Sequence, residues 1–175
     1  PEERNTTAAL VRGVAAGFMR RRYSIRGFDT YVVSDVLPGS GLSSSAAFEV
    51  LLGTVINAMS GCALSPAEVA RIGQYAENEY FGKPSGLMDQ TASAVGGIVA
   101  IDFADPAAPV ITPVEFDFAG CGYALCIIDS GADHAELTEE YAAIPNELKA
   151  VCRVFGKEHL REVDEREFYV RIAEV

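Results

Sequence analysis

The chain has 175 residues, with 14 basic and 25 acidic side chains, and its formal net charge is −11 at pH 7. This length suffices for one domain with a sizeable core, and the 49% hydrophobic composition excludes intrinsic disorder. The acidic balance argues against nucleic-acid binding, because a phosphate backbone would be repelled, and no apolar run is long enough to cross a membrane. Four cysteines without C-x-x-C spacing predict buried, reduced thiols and a cytoplasmic protein.

The first half of the chain is predicted to be mainly helical. Apolar residues at 3–4 spacing predict an amphipathic helix over residues 6–22, and residues 46–60 predict a second helix that Gly61 ends. The sequence Ser65-Pro66-Ala67-Glu68 is a capping box with proline at the first helical position, which predicts a third helix to about residue 80. Between the first two helices, alternating Tyr and Val residues predict a strand over 28–36.

The second half mixes short strands with helices. A short helix is predicted over 87–95, followed by strands over 97–103, 110–116 and 123–129. Residues 133–155 predict a further helix that Pro145 kinks or splits, and residues 162–174 a weaker one. Because helices and strands do not alternate in a strict βαβ rhythm, we expect an α+β fold with a mixed sheet packed on helices.

A loop rich in glycine and serine follows the first predicted strand, and we call residues 38–45 the serine loop. Glycines allow backbone N–H groups to turn towards an anion, the helix start adds partial positive charge, and serine hydroxyls donate further hydrogen bonds. The loop lacks the Gly-Lys-Ser/Thr of a P-loop, and a simple serine N-cap after a flexible turn is the alternative. The candidate phosphate-binding residues are Pro38, Gly39, Ser40, Gly41, Leu42, Ser43, Ser44 and Ser45.

Two acidic residues are candidates for chemistry. Asp89 follows apolar Leu87 and Met88 at a helix start, where it is either a general base or a charge that interacts with the helix dipole. Glu77, on the third predicted helix, is either a solvated acid or, beside a phosphate site, a metal ligand.

These motifs together resemble those of the GHMP kinases. Residues 38–46 are similar to the family's ATP-binding motif, and Glu77-Asn78 followed by Gly86-Leu87-Met88-Asp89-Gln90 is similar to the galactokinase branch in particular. The resemblance covers roughly residues 5–129. It implies a partial GHMP kinase N-terminal domain, a fold like domain 2 of a ribosomal protein. Residues 1–175 would be one central piece, with the ATP loop in 1–131 and a helical segment in 132–175 that leads into the C-terminal domain.

The resemblance also implies roles for individual residues. The serine loop would cradle the phosphates of ATP, and Ser45 and Glu77 would hold Mg²⁺. Asp89 would accept or orient the proton of the sugar's anomeric hydroxyl. Gly86 would contact the sugar through its backbone, and Tyr141 would line the sugar pocket. The implied activity is ATP-dependent phosphorylation of galactose at its C1 hydroxyl, with small molecules as partners and neither nucleic acid nor membrane.

Two departures from the family pattern keep alternatives open. The Gly-Glu-His-x-Asp segment and the glycine-rich C-terminal loop of the family are absent, so we expect this piece to be inactive alone and to self-associate. Tyr141 is followed by Ala142-Ala143 rather than by paired arginines, which leaves a GHMP kinase for another sugar possible. A non-catalytic sensor of sugar and ATP is a second alternative. An RNA-binding module is a third, and the net charge argues against it.

Overall fold

The computed structural model of the chain describes residues 2–36, 41–128 and 138–175, with the backbone alone for 138–142. It divides the chain into two compact units, Pro1–Ala132 and Asp133–Val175. None of the helices in the described ranges has the length and apolar character needed to span a bilayer.

The described residues form six α-helices and two strands. A π-helical turn, Ala76–Phe81, continues the third helix, and single 3₁₀ turns are formed by Leu160–Glu162 and Ile172–Glu174. In chain order the elements are α1 (Thr7–Arg20), α2 (Ser44–Ser60), α3 (Pro66–Tyr75), α4 (Met88–Val95), β1 (Ile98–Asp102), β2 (Val110–Val114), α5 (Thr138–Val154) and α6 (Glu165–Val170).

Local contacts fix one end of each of the first three helices, and the N-cap of α1 is Thr6 rather than Asn5, the residue we expected. The side chain of Thr6 accepts a hydrogen bond from the backbone N–H of Ala9 at the start of α1. Gly61 ends α2 in the left-handed conformation with φ +62°, which glycine adopts without the Cβ penalty. Ser65 and Glu68 form the predicted capping box at the start of α3. The three predicted helices are therefore confirmed, although the last turn of the third is π-helical.

The core of the first unit lies between α1, α2 and α3. Its buried cluster comprises Val14, Phe18, Leu52, Ile56, Ile72 and Ala76. Two glycines of α1 allow this helix to approach α3 and the π-helical turn closely. A Cβ at Gly13 would lie 2.7 Å from the Ala76 Cα, and a Cβ at Gly17 would lie 2.8 Å from the Ile72 Cγ2. Glycine here removes the side chain that would otherwise separate the two backbones.

The described sheet is a two-stranded antiparallel hairpin, smaller than the mixed sheet we expected. Ile98 of β1 is opposite Val114 of β2, and Asp102 is opposite Val110. Two of the four predicted strands are thus confirmed with small differences at their ends.

The strands predicted over 28–36 and 123–129 are wrong for the described residues. Neither 28–36 nor 123–128 joins a sheet, and residue 129 lies outside the described residues. A strand needs a hydrogen-bonded neighbour, and the apolar side chains of these segments face solvent, with Tyr31 91% and Ile128 88% exposed. For the same reason Cys121 and Cys126 are exposed rather than buried.

The second unit is helical. α5 is continuous past Pro145, so the predicted split is absent, and residues 133–137 of that prediction lie outside the described residues. The Asp164 side chain caps α6. At the other end of α6, the Arg171 guanidinium donates to Glu167 and Glu174 and lies over the Phe155 ring, 4.8 Å from its centroid.

We expect Gly13→Ala to destabilise the first unit by about 1–3 kcal/mol, because the added methyl would overlap the backbone of Ala76. Helix propensity alone predicts the opposite sign, since alanine is the better helix former. Urea denaturation measures the difference. Gly27→Ala is the control, since a Cβ there meets nothing within 4 Å. Equal stabilities of the two variants would contradict the close approach of the helices.

Candidate functional site

The described part of the serine loop begins at Gly41 and runs into α2. Ser43 precedes the helix with φ 55° and ψ 44°, a left-handed conformation that is uncommon for serine, and its hydroxyl makes no capping hydrogen bond. Instead, the Ser43 Oγ donates to the Oδ2 of Asp89 at 2.7 Å. The start of α2 is thereby joined to the start of α4.

Ser45, two residues after Ser43, contacts a second acid. The Ser45 Oγ, in the first turn of α2, donates to the Oε1 of Glu77 at 2.9 Å. Glu77 belongs to the π-helical turn and is only 2% exposed. Two serines of one loop therefore bind two carboxylates from different elements.

A buried amide connects the Glu77 carboxylate to another acid. The Nε2 of Gln90, on α4, donates to the Oε2 of Glu77 at 2.8 Å and to the Oε2 of Glu49 at 3.1 Å. Glu49 lies on α2 and is fully buried. Gly73 of α3 leaves room for this arrangement, because a Cβ there would lie 3.2 Å from the Glu49 Oε2.

Burial and, to a lesser extent, the nearby negative charge of Glu77 together raise the pKa of Glu49 to about 8. Glu49 is therefore mainly protonated at pH 7. Among the described residues, the Oε1 atoms of Glu49 and Gln90 have no hydrogen-bond partner, although both are buried. A protonated Glu49 adds an O–H donor to a site in which the Gln90 amide already donates to two carboxyl groups.

A lysine adds positive charge to the site. The Lys83 Nζ lies 3.6 Å from the Oε1 of Glu77, and its side chain is 55% exposed. Its backbone is held to the same residue, because the N–H groups of Gly82 and Lys83 both donate to the Glu77 carbonyl, at 2.9 and 3.1 Å.

The segment between the π-helical turn and α4 is fixed by amide side chains. The Asn78 Oδ1 accepts from the Ser85 backbone N–H at 2.7 Å, and the Gln74 Nε2 donates to the Ser85 carbonyl at 3.2 Å. Gly86, the next residue, is exposed, and a Cβ there would meet nothing within 4 Å. The backbone beside the start of α4 is thus anchored and open on one side.

Ser45 and Glu77 fit a hard divalent cation. Their hydroxyl and carboxylate oxygens are the donor type that Mg²⁺ prefers, and Mg²⁺ commonly uses one or two carboxylates together with substrate phosphates. The described residues contain no cluster of three or more His, Cys, Asp or Glu side chains that could hold a metal alone. Octahedral Mg²⁺ held by these two oxygens would have further coordination positions for phosphate oxygens or water.

An open, mainly apolar pocket of about 350 Å³ adjoins the serine loop. It lies between α1, residues 32–36 and α2, and Ser44 and Ser45 form part of its wall. Leu10, Phe48 and Leu51 contribute apolar surface.

The structure brings some of the predicted site residues together and leaves others apart. Ser43 contacts Asp89 and Ser45 contacts Glu77, whereas Gly41 and Leu42 are exposed. Tyr141 lies on α5 in the second unit, and its side chain is outside the described residues, as are Leu37, Pro38, Gly39 and Ser40.

The sequence analysis missed Glu49, Gln90 and Lys83. A signal was present for Glu49: with Ala46, Val50 and Gly53 it follows the i, i+3, i+4, i+7 spacing of the buried face of α2. An acid on such a face needs a partner, and that partner is Gln90.

We expect Glu49→Gln to change the pH dependence of stability. A pKa raised from 4.5 in the unfolded chain to about 8 means that the folded state binds the proton more tightly. The stability that Glu49 contributes is therefore full below pH 4.5 and is lost as the pH rises through 8. The variant should gain stability relative to the parent between pH 5 and 8 in urea denaturation, by an amount on the order of a few kcal/mol.

Glu79→Gln, which removes an exposed acid on the same turn, is the control for the loss of a carboxyl group. A stability difference between Glu49→Gln and the parent that stays constant from pH 5 to 8 would contradict the raised pKa of Glu49.

Comparison with known proteins relates this geometry to a family. Residues 9–97 match the family model described as GHMP kinases N terminal domain. A galactokinase of Actinobacillus pleuropneumoniae is 37% identical over 169 residues, which are 96% of this chain and 43% of that protein. A galactokinase of Mycobacterium tuberculosis is 35% identical and matches over 93% of this chain and 47% of its own length.

The fold is also similar to a solved structure. The crystal structure of Lactococcus lactis galactokinase complexed with galactose superposes with a TM-score of 0.71, at 24% identity, over 98% of this chain and 45% of that chain. The chain thus spans less than half the length of these relatives. The match to the family model covers more than half of the chain. It includes most of α1, all of α2 to α4, and the contacts of Ser43 with Asp89 and of Ser45 with Glu77. By this evidence the chain belongs to the GHMP kinase family.

Proposed function

We propose that the chain is the central part of a galactokinase, which transfers the terminal phosphoryl group of ATP to the C1 hydroxyl of galactose. One observation carries this proposal: two serines of a single loop each bind a different acid, Ser43 with Asp89 and Ser45 with Glu77. Phosphoryl transfer depends mainly on positioning and charge neutralisation, and this arrangement would join a phosphate loop, a metal ligand and a base.

The serine loop, residues 38–45, would bind the phosphates of ATP. Backbone N–H groups at the start of α2 are unpaired within the helix and carry partial positive charge, so they attract anions. The apolar pocket beside Ser44 and Ser45 would accommodate the less polar part of the nucleotide. This assignment accounts for the exposure of Gly41 and Leu42 directly before the start of α2.

Ser45 and Glu77 would hold Mg²⁺. Gln90 fixes the Glu77 carboxylate through its other oxygen, so the side chain is oriented in advance. When bound, the cation would neutralise charge that develops on the transferred phosphoryl group.

Asp89 would accept the proton of the sugar hydroxyl. Ser43 holds one of its oxygens, which orients the carboxylate at the start of α4. Gly86 would contact the sugar through its backbone, and Tyr141 would contribute to the same pocket in the intact protein. We propose galactose as the sugar because the relatives named above are galactokinases, one of them solved with galactose.

The proposed enzyme is cytoplasmic and uses only small molecules as partners. Residues 1–131 would belong to its N-terminal domain, and residues 132–175 would lead into its C-terminal domain. Exposed apolar side chains on residues 28–36 and 123–128 support the expectation that the isolated piece self-associates.

Asp89→Asn in the intact protein should lower turnover by at least about 10²–10⁴-fold, the usual contribution of a general base. Asparagine is nearly isosteric, and the Ser43 hydroxyl can still bond to it, so binding of galactose and ATP should persist. A coupled assay measures phosphate transfer, and calorimetry measures binding of each ligand.

The outcomes separate three interpretations. If Asp89→Asn turns over substrate at the parent rate, Asp89 is not the general base. A parent that binds both ligands but transfers no phosphate would be a sensor. A parent that phosphorylates a different sugar in preference to galactose would retain the mechanism and change the substrate.

Ser45→Ala should lower turnover far more than it lowers stability, because it removes a ligand of the proposed metal site and leaves α2 intact. The comparison requires the melting temperature and the Mg²⁺ dependence of turnover for the same preparation. Ser60→Ala, at the opposite end of α2, is the control. Turnover of Ser45→Ala equal to that of the parent would rule out the assignment of Ser45.

A further inference from the structure

Glu77 carries a carboxylate that protein atoms almost completely surround. Its two oxygens accept hydrogen bonds from neutral groups, the Ser45 hydroxyl and the Gln90 amide. Neutral donors stabilise a carboxylate but leave its net charge in place, and burying an uncompensated charge is costly. The positive charge that the structure brings to it is the Lys83 ammonium, 3.6 Å from Oε1.

Lys83 is held at this position by its backbone rather than by its side chain. Its N–H donates to the Glu77 carbonyl, so the two residues stay together regardless of what the ammonium group contacts. The side chain itself is more than half exposed, and its four-carbon stem can turn the ammonium into solvent at little cost. The charge is therefore tethered, yet it can move away.

The ammonium group and a divalent cation would compete for the same oxygen. The proposed Mg²⁺ ligands are Ser45 and Glu77, and the Oε1 atom that Ser45 contacts is also the one closest to Lys83. Two cations on one carboxylate oxygen repel each other, so the stronger charge excludes the weaker one.

We propose that Lys83 is an internal counter-ion of Glu77, which stabilises the metal-free site and gives way when a divalent cation binds. Lys83 thereby weakens binding of the bare cation and favours a cation that brings further attractive interactions, such as one already bound to nucleotide phosphates. This inference rests on the metal site proposed above and concerns a residue outside the proposed catalytic set.

The test is binding of Mn²⁺ without nucleotide to the intact protein and its Lys83→Met variant, with free Mn²⁺ measured by electron paramagnetic resonance. Methionine keeps the stem and removes the charge. We expect Mn²⁺ to bind about two- to fivefold more tightly to the variant, because this is the usual change in affinity when a competing, partly exposed ion pair is lost. In EDTA the variant should melt at a lower temperature than the parent, and added MgCl₂ should raise its melting temperature more. Lys149→Met, at an exposed position of α5, is the matched control and should behave as the parent.

Failure of the inference and failure of the metal site give different results. If Ser45→Ala and Glu77→Gln weaken Mn²⁺ binding but Lys83→Met leaves it unchanged or weaker, the counter-ion role is overturned. A merely structural lysine would lower the melting temperature equally with and without metal, and this outcome also overturns it. If neither Ser45→Ala nor Glu77→Gln affects Mn²⁺ binding, the proposed metal site itself fails.

Discussion

The Gln90 amide is the interaction on which the arrangement of the first unit depends. It donates to carboxyl groups from α2 and from the π-helical turn while it lies itself on α4. Burying a carboxyl group without such a partner would cost several kcal/mol of folding free energy. The helices α2 and α4 and the π-helical turn must therefore pack so that Gln90 can donate to both Glu49 and Glu77. The relative positions of Ser45, Glu77 and Asp89 follow from this constraint, because each lies on one of the elements that Gln90 connects.

The packing of α1 makes this arrangement possible. Gly13 and Gly17 allow α1 to lie directly against the π-helical turn and α3. A close-packed contact of this kind resists small displacements, since neighbouring atoms have no free volume to enter. The π-helical turn that carries Glu77 is thus held both by the contact of Gly13 with Ala76 and by the hydrogen bond from Gln90.

The sequence predicted the elements whose signals are local. Thr6, Ser65 and Gly61 fix helix ends through contacts within a few residues, and β1 and β2 pair across a short connection. Apolar and polar residues alternate over residues 28–36 as in a strand. Such alternation indicates which side chains would share a face of a sheet, but it does not show that a neighbouring strand is available for pairing. The π-helical turn had no local signal at all, because its hydrogen-bond register is decided by contacts with other elements.

In the candidate site, too, residues in recognisable motifs could be predicted, whereas residues defined by distant contacts could not. Ser45, Glu77 and Asp89 were recognisable because they stand in motifs that resemble those of a known family, and the structure brings Ser45 into contact with Glu77. Their roles stay predictions. Glu49 was hidden in an apolar helix, and its importance depends on a neighbour 41 positions along the chain. Pairings between distant residues of this kind are set by tertiary structure and cannot be read from spacing.

Because of the π-helical turn, the number of residues between Glu77 and Lys83 determines where Lys83 lies relative to the Glu77 carboxylate. In a regular α-helix the Glu77 carbonyl would accept from the N–H of Phe81, whereas here it accepts from Gly82 and Lys83. Deletion of a single residue in this interval would rotate the following residues by about 100° around the helix axis. The ammonium group would then point elsewhere, and the anchored backbone before α4 would follow it. If a related chain lacks one residue in this interval, its site therefore has a different geometry, even where it retains every side chain named above.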